Sequence, residues 1–272
     1  MTSNVKRLLD IMARLRSRDG GCPWDLEQTF KTVAPHTLEE TYELVDAIER
    51  GDPEAIQDEL GDVLFQIVFH AQMGKEAGLF DFDSVAGHVA DKMIERHPHV
   101  FGERDVKTAE GVASNWEKDK EAKRSAKAGK EGRTLSVLDG ISSGLPATTH
   151  SVKLQKRAAH VGFDWPNARD VFAKIREEIG ELEKEVSDNK DKAFLVDELG
   201  DVLFAVTNLA RKLNIDPEMA LRSTNRKFER RFRGIEEALA KQDKNIADVS
   251  LDEMERLWNE IKRQEKSSRP IK

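Results

Sequence analysis

DELGDVLF, residues 58–65, returns letter for letter at residues 197–204. Glu39, Glu40 and Glu43 stand ahead of the first copy and Glu177, Glu178 and Glu181 ahead of the second, so each half of the chain reads EExxE, a spacer, then ExxD. Residues three or four apart share one face of an α-helix. Glu40 with Glu43 and Glu59 with Asp62 therefore each set two carboxylates side by side, and Glu178 with Glu181 and Glu198 with Asp201 repeat the arrangement. The spacers, 15 residues in the first half and 16 in the second, suffice to finish one helix, turn and start an antiparallel neighbour. Gly51 suits a left-handed helix end, and Asp52 before Pro53 suits an N-cap and first helical residue.

This turn places Glu59 and Asp62 beyond the first helical turn, where the helix dipole no longer accounts for acids. The same helices continue as VLFQIVFHA and VLFAVTNLA, apolar on nearly every side, which is the pattern of a helix inside a bundle. Two carboxylates about 4 Å apart repel by roughly 4 kcal/mol at an effective dielectric near 20. Four of them must be protonated, paired with cations or holding metal. Oxygen-only donors select hard cations, Mg²⁺ or Mn²⁺, whereas a carboxylate di-iron bundle would carry Glu-x-x-His. The bland alternative, a solvated acidic face, loses weight when the pattern occurs twice.

At 272 residues the chain suits two modest domains. Charged residues at 35%, aromatics at 6% and a single tyrosine give the composition of a helical protein. A net charge of −7 argues against a dedicated nucleic-acid or anionic-membrane binder. The one cysteine, Cys22, excludes an intramolecular disulfide and suits a reducing cytosol. No stretch reaches the length of a spanning helix, and the charged, amphipathic N-terminus reads as neither signal peptide nor anchor. The expectation is a cytoplasmic protein without a membrane partner.

Further repeats follow each acid cluster. Lys92 and Arg96 match Lys227 and Arg231, and Trp116 and Lys120 match Trp258 and Lys262, every pair four residues apart. Acids for Mg²⁺, cationic stripes and a tryptophan beside a lysine suit a polyphosphate with a base attached. The loops GCPWD, residues 21–25, and VGFDW, residues 161–165, are faint counterparts, with Trp24 and Trp165 expected as core or hinge anchors. His97 and His99 flank Pro98 without a third ligand, so zinc is not expected there. Residues 117–133, rich in Lys, Ala and Gly, read as a helix end becoming flexible. The resulting division is residues 1–120, a linker at 121–134, and residues 135–272.

At this point the residues resemble a known family. EETYE with ELGD, LLDIMARLR with GCPWD, ERHPHVFG, and in the second half GFDW, EExxE, DELGDVLFA, KFERRF and KRQE resemble the MazG nucleoside triphosphate pyrophosphohydrolases over nearly the whole chain outside the linker. The resemblance implies an all-α fold of the all-α NTP pyrophosphatase type, with two tandem MazG-like units that each form a four-helix bundle on dimerisation. It implies hydrolysis of nucleoside triphosphates to monophosphate and pyrophosphate, Mg²⁺ dependence with Mn²⁺ as a substitute, and a homodimer. The family's metal and catalytic positions fall on Glu178, Glu181, Glu198 and Asp201, and its nucleotide contacts on Lys174, Lys227, Arg231, Trp258 and Lys262. Glu40, Glu43, Glu59 and Asp62 are expected to form a second, weak metal site.

Two departures stand out. Phe194 occupies a place where related chains can carry a lysine, and His36 stands where the second half has Lys174. The second half is therefore expected to be the main engine, with broad base specificity and a housekeeping role in the nucleotide pool. The expected chemistry is attack of metal-activated water at the α–β bridge, with Glu177 as base or supporting acid. The competing reading is a non-catalytic, metal-stabilised dimerisation or regulatory scaffold, and a nucleic-acid-binding regulator is weaker still.

Overall fold

The helical spacing of apolar residues is realised throughout: twelve α-helices and one short 3₁₀ turn occur among the described residues, and no strand. The computed structural model describes residues 4–102, 108–132 and 134–267, apart from the side chains at 109, 110, 113, 114, 116–120, 123 and 127. The paired Trp116 and Lys120 are thus side chains outside the described set. Two units emerge, Met1–Lys120 and Glu121–Lys272.

The first unit is built on the hairpin of α3 (Phe30–Arg50) and α4 (Pro53–Glu76). Thr29 opens α3 with a capping box to Thr32, and Gly51 closes it at φ 69°, a conformation that costs glycine nothing. Asp52 then caps α4, accepting from the amides of Glu54 and Ala55 at 3.2 Å, with Pro53 as the first helical residue. α1 (Asn4–Leu15) lies on α4, and Met12, Val33, Val68, Phe69 and Met73 form the buried core between α1, α3 and α4. Each such side chain contributes about 1.5–3 kcal/mol on burial. Gly74 admits the ring of Phe80, since a Cβ there would sit 2.4 Å from it. The short α2 (Pro23–Glu27) precedes the hairpin; α5 (Phe82–Arg96) and α6 (Pro98–Phe101) follow it, interrupted at Pro98.

α7 (Ala109–Glu131) runs through much of the stretch expected to be a flexible linker. Its Lys, Glu and Ala residues are strong helix formers, and this propensity outweighs the lack of an apolar period. Ala128 within it is 2% exposed.

In the second unit α8 (Ala147–His160), starting just after Pro146, lies along α10 (Lys192–Lys212), while α9 (Ala168–Ser187) pairs with α10 as α3 does with α4. Asn167 caps α9. Asn189, at φ 50°, takes the left-handed place in the α9–α10 turn, which asparagine tolerates. Buried Gln155 of α8 donates to the Phe204 carbonyl at 2.9 Å. α11 (Pro217–Ala240) and α12 (Leu251–Ser267) form a further hairpin around Ile235, Leu239 and Leu257, joined through the 3₁₀ turn Ile246–Asp248.

The apolar character of α10 is only partly used within the chain. Val196, Leu199, Leu203 and Val206 form a stripe, each between 43% and 61% exposed. Leu60 and Ile67 leave a similar stripe on α4. Among the described residues no helix is long and apolar enough to cross a membrane.

Candidate active site

The α9–α10 pairing aims Glu178 and Glu181 at Glu198 and Asp201. Carboxylate oxygens of Glu178, Glu198 and Asp201 lie within 4.8 Å of one another, with Glu178 buried, Glu198 half-buried and Asp201 exposed. Glu181 completes the group by hydrogen bonding to Glu178, the main reason its pKa is held above the usual carboxylate range. Glu198 is also pushed up, first by burial and then by Glu181, Asp201, Glu178 and Glu185. Such repulsion among acids sharing a partly dry site is relieved by a cation. The donor set, all carboxylate oxygen, fits a hard divalent ion.

Lys174 belongs to this cluster. Its Nζ lies 2.8 Å from Glu177 and 2.7 Å from Glu178, and these hydrogen bonds, Glu177 first, raise its pKa. Glu177, 56% exposed, holds the ammonium from the solvent side.

Two residues escaped the sequence reading. Glu185, seven positions after Glu178 on the same face of α9, has a buried Oε2 without a hydrogen-bond partner. Its signal was the helical spacing alone. Lys190, in the α9–α10 turn, sets its Nζ 5.7 Å from the centroid of the Phe194 ring, a cation–π distance. Phe194, Glu198 and Asp201 follow at i, i+4 and i+7 on α10, so the ring that replaces a lysine brings a lysine with it.

The remaining sequence-predicted contacts gather on the α11–α12 hairpin. The Arg231 guanidinium stacks 5.3 Å from the Trp258 ring centroid and bonds Glu265 at 2.8 Å, while Arg230 takes the other Glu265 oxygen at 2.7 Å. Phe228 lies 5.5 Å from Trp258. Lys227 and Lys262 lie one turn from Arg231 and Trp258, and neither has an ion-pair partner among the described residues. α11 meets α8 near its start, where Thr148 donates to Glu218. Arg231 comes thirteen residues later, roughly 20 Å farther along the helix. The expected nucleotide contacts thus form two groups, Lys174 with the acids and Lys227, Arg231, Trp258 and Lys262 on the hairpin.

The first unit has a related but altered cluster. Oxygens of Glu40, Glu43 and Glu59 lie within 4.8 Å of one another. Asp62 stands outside that trio yet raises the pKa of both Glu40 and Glu59, in each case after burial. A cleft of about 520 Å³ there is lined by Glu39, Tyr42, Glu43, Asp46, Arg50 and Glu59. Arg50, paired with Asp46 at 2.9 Å, partly offsets the repulsion felt by Glu59. Arg50 corresponds to Asp188 of the second unit, and Ala47 to Glu185. His36 lies 3.6 Å from Glu39. Trp24 meets His36 edge-on at 6.0 Å and is 53% exposed, so it is not the core anchor expected; Trp165 is half-buried, its carbonyl accepting from Lys212.

The family model of the MazG nucleotide pyrophosphohydrolase domain matches residues 28–101 and again 168–234, the two acid-bearing hairpins. A nucleoside triphosphate pyrophosphohydrolase of Escherichia coli K12 is 47% identical over 97% of this chain and 98% of its own length. A Thermotoga maritima protein named nucleoside triphosphate pyrophosphohydrolase/pyrophosphatase MazG is 37% identical over 94% of this chain and 95% of its own. The protein YabN of Bacillus subtilis is 43% identical over 95% of this chain, which corresponds to 51% of YabN.

Proposed function

The chain belongs to the MazG family of nucleotide pyrophosphohydrolases, and from that premise we propose that it is a Mg²⁺-dependent enzyme converting nucleoside and deoxynucleoside triphosphates to monophosphate and pyrophosphate. The observation that carries this reading is the second-unit cluster, with three carboxylates converging within 4.8 Å and Lys174 2.7 Å from one of them. Glu178, Glu181, Glu198 and Asp201 would hold the ion, with Mn²⁺ as a substitute. Bound there, it would polarise phosphate oxygens and make a coordinated water nucleophilic at neutral pH.

The chain's own groups divide the remaining work. Lys174, whose Nζ lies 2.7 Å from Glu178 at the edge of the carboxylate cluster, is placed to contact the phosphates. Lys190, held over Phe194, supplies the cation that Phe194 itself lacks. Lys227, Arg231 and Lys262 neutralise the triphosphate, and Trp258 offers a face on which any base stacks, so base selection is broad. Such an enzyme serves housekeeping of the cytoplasmic nucleotide pool. Glu40, Glu43, Glu59 and Asp62 form a second, weaker site, since Arg50 already occupies part of its electrostatic role.

A homodimer in which each half pairs with its own copy accounts for the exposed stripes on α4 and α10. It also offers the hairpin cations a route to an acid cluster, that of the second copy. The deciding measurement is product analysis over the eight common nucleotides with Mg²⁺. Pyrophosphate and monophosphate are expected from all of them. Orthophosphate alone, or no turnover with either Mg²⁺ or Mn²⁺, would instead favour a metal-stabilised scaffold.

A further inference from the structure

A cationic cavity lies at the other end of α10 from the carboxylates. It measures about 330 Å³ and sits between α8 and the turn joining α10 to α11. α8 contributes Lys153 and Lys156 from one face, α10 contributes Arg211, and the turn contributes Asn214 and Asp216. Arg211 is ten residues beyond Asp201, roughly 15 Å along the helix, so this cavity is separate from the acid cluster.

Its charges are unbalanced. The Arg211 side chain is only 10% exposed; its Nη1 lies 3.2 Å from Asp164, and its Nη2 bonds both Asp164 and, at 3.0 Å, Asn208. Lys212 binds the same Asp164 at 2.6 Å, leaving one carboxylate between two cations. The Nε of Arg211 is buried with no acceptor, and a buried donor without a partner destabilises the fold. Asp216 is the one acid lining the cavity, and its Oδ1 accepts from the Met219 amide at 3.1 Å as the cap of α11. Lys153 and Lys156 are exposed and have no ion-pair partner among the described residues. The negative end of the α10 dipole explains Arg211 and Lys212. It does not explain two lysines on the facing helix, in a chain whose net charge is −7.

We infer that this corner binds a small phosphate-bearing anion, with Lys153 and Lys156 supplying the donors and Arg211 adding positive charge in the cavity wall. Phosphate chemistry fits because its oxygens accept from several cationic donors at once and the cavity admits one or two phosphoryl groups. Free phosphate or pyrophosphate and the phosphoryl end of a nucleotide share this chemistry.

The test is calorimetric titration of the full chain with orthophosphate, pyrophosphate and adenosine monophosphate in EDTA, where the metal-free carboxylates repel anions. Binding should weaken at least tenfold in Lys153→Gln/Lys156→Gln and stay within twofold in the control Lys31→Gln/Lys241→Gln, whose lysines line neither site. All four of these lysines are exposed, and unchanged helical circular dichroism verifies folding. Equal affinity for phosphate and the monophosphate identifies the phosphoryl group as the ligand; much tighter monophosphate binding identifies a nucleotide. No binding by any of the three, binding retained in the α8 variant, or equal loss in both variants would overturn the inference.

Discussion

At the residue scale, Glu198 separates the two demands on the site. Its carboxyl is pushed above 4.5 by burial and by neighbouring acids, so the folded chain keeps a proton that the unfolded chain has released. That contribution is full below 4.5 and is lost as pH rises through the raised value. Glu198→Gln removes the repulsion while keeping size and helix propensity. In EDTA its Tm should match the native protein near pH 4 and exceed it at neutrality. His70, whose pKa burial lowers, drifts the other way, but equally in both proteins. With Mg²⁺ the variant should lose turnover, whereas Glu59→Gln should cost less than about threefold; the reverse pattern in steady-state assays would move the main site to the first unit. Lys190→Ala should raise KM for the triphosphate several-fold with kcat little changed, because it removes charge from the rim of the site and not from its centre. An unchanged KM would mean that Lys190 merely decorates Phe194.

Most of these residues were legible because EExxE and ExxD are spaced at helical intervals and occur twice. Glu185 and Lys190 were not. One is an ordinary acid until burial strips its Oε2 of partners, and the other is a turn lysine until the Asn189 backbone brings it over a ring.

Among the elements, α10 carries two incompatible-looking surfaces, the acids and the stripe of Val196, Leu199, Leu203 and Val206. An apolar row of this kind left in water marks a partner surface. Leu203, at 58% exposed, contributes little to packing within one chain, so Leu203→Glu should leave the helical signal intact. Sedimentation should show monomers in place of dimers, with activity reduced at least tenfold. A fully active dimer would remove the stripe from the interface. The hairpins, their caps and the Gly51 turn could be read in advance because each depends on local chemistry. The course of α7 could not, since strong helix formers without an apolar period look the same whether helical or loose.

For the whole molecule, the second unit begins at Glu121, within α7, and Ala128 is among its buried residues. A fragment should therefore start near Glu121 and not at Leu135. It should be dimeric by light scattering and should hydrolyse triphosphates without the first unit. A folded monomer with full activity would show that the site closes within one chain. A fragment active only when the first unit is added back would make the two units partners.

Arg50 gives the two acid clusters different dependence on their surroundings. A guanidinium stands near Glu59 while the matching place holds Asp188, so the first unit carries a counter-charge at its second acid pair, whereas in the second unit Lys174 sits at Glu177 and Glu178 and leaves Glu198 among acids. Stripping divalent ions should therefore loosen the molecule unevenly. Under brief trypsin treatment in EDTA, cleavage should begin around the α9–α10 turn at Lys190 and Lys192, while the α3–α4 hairpin stays intact.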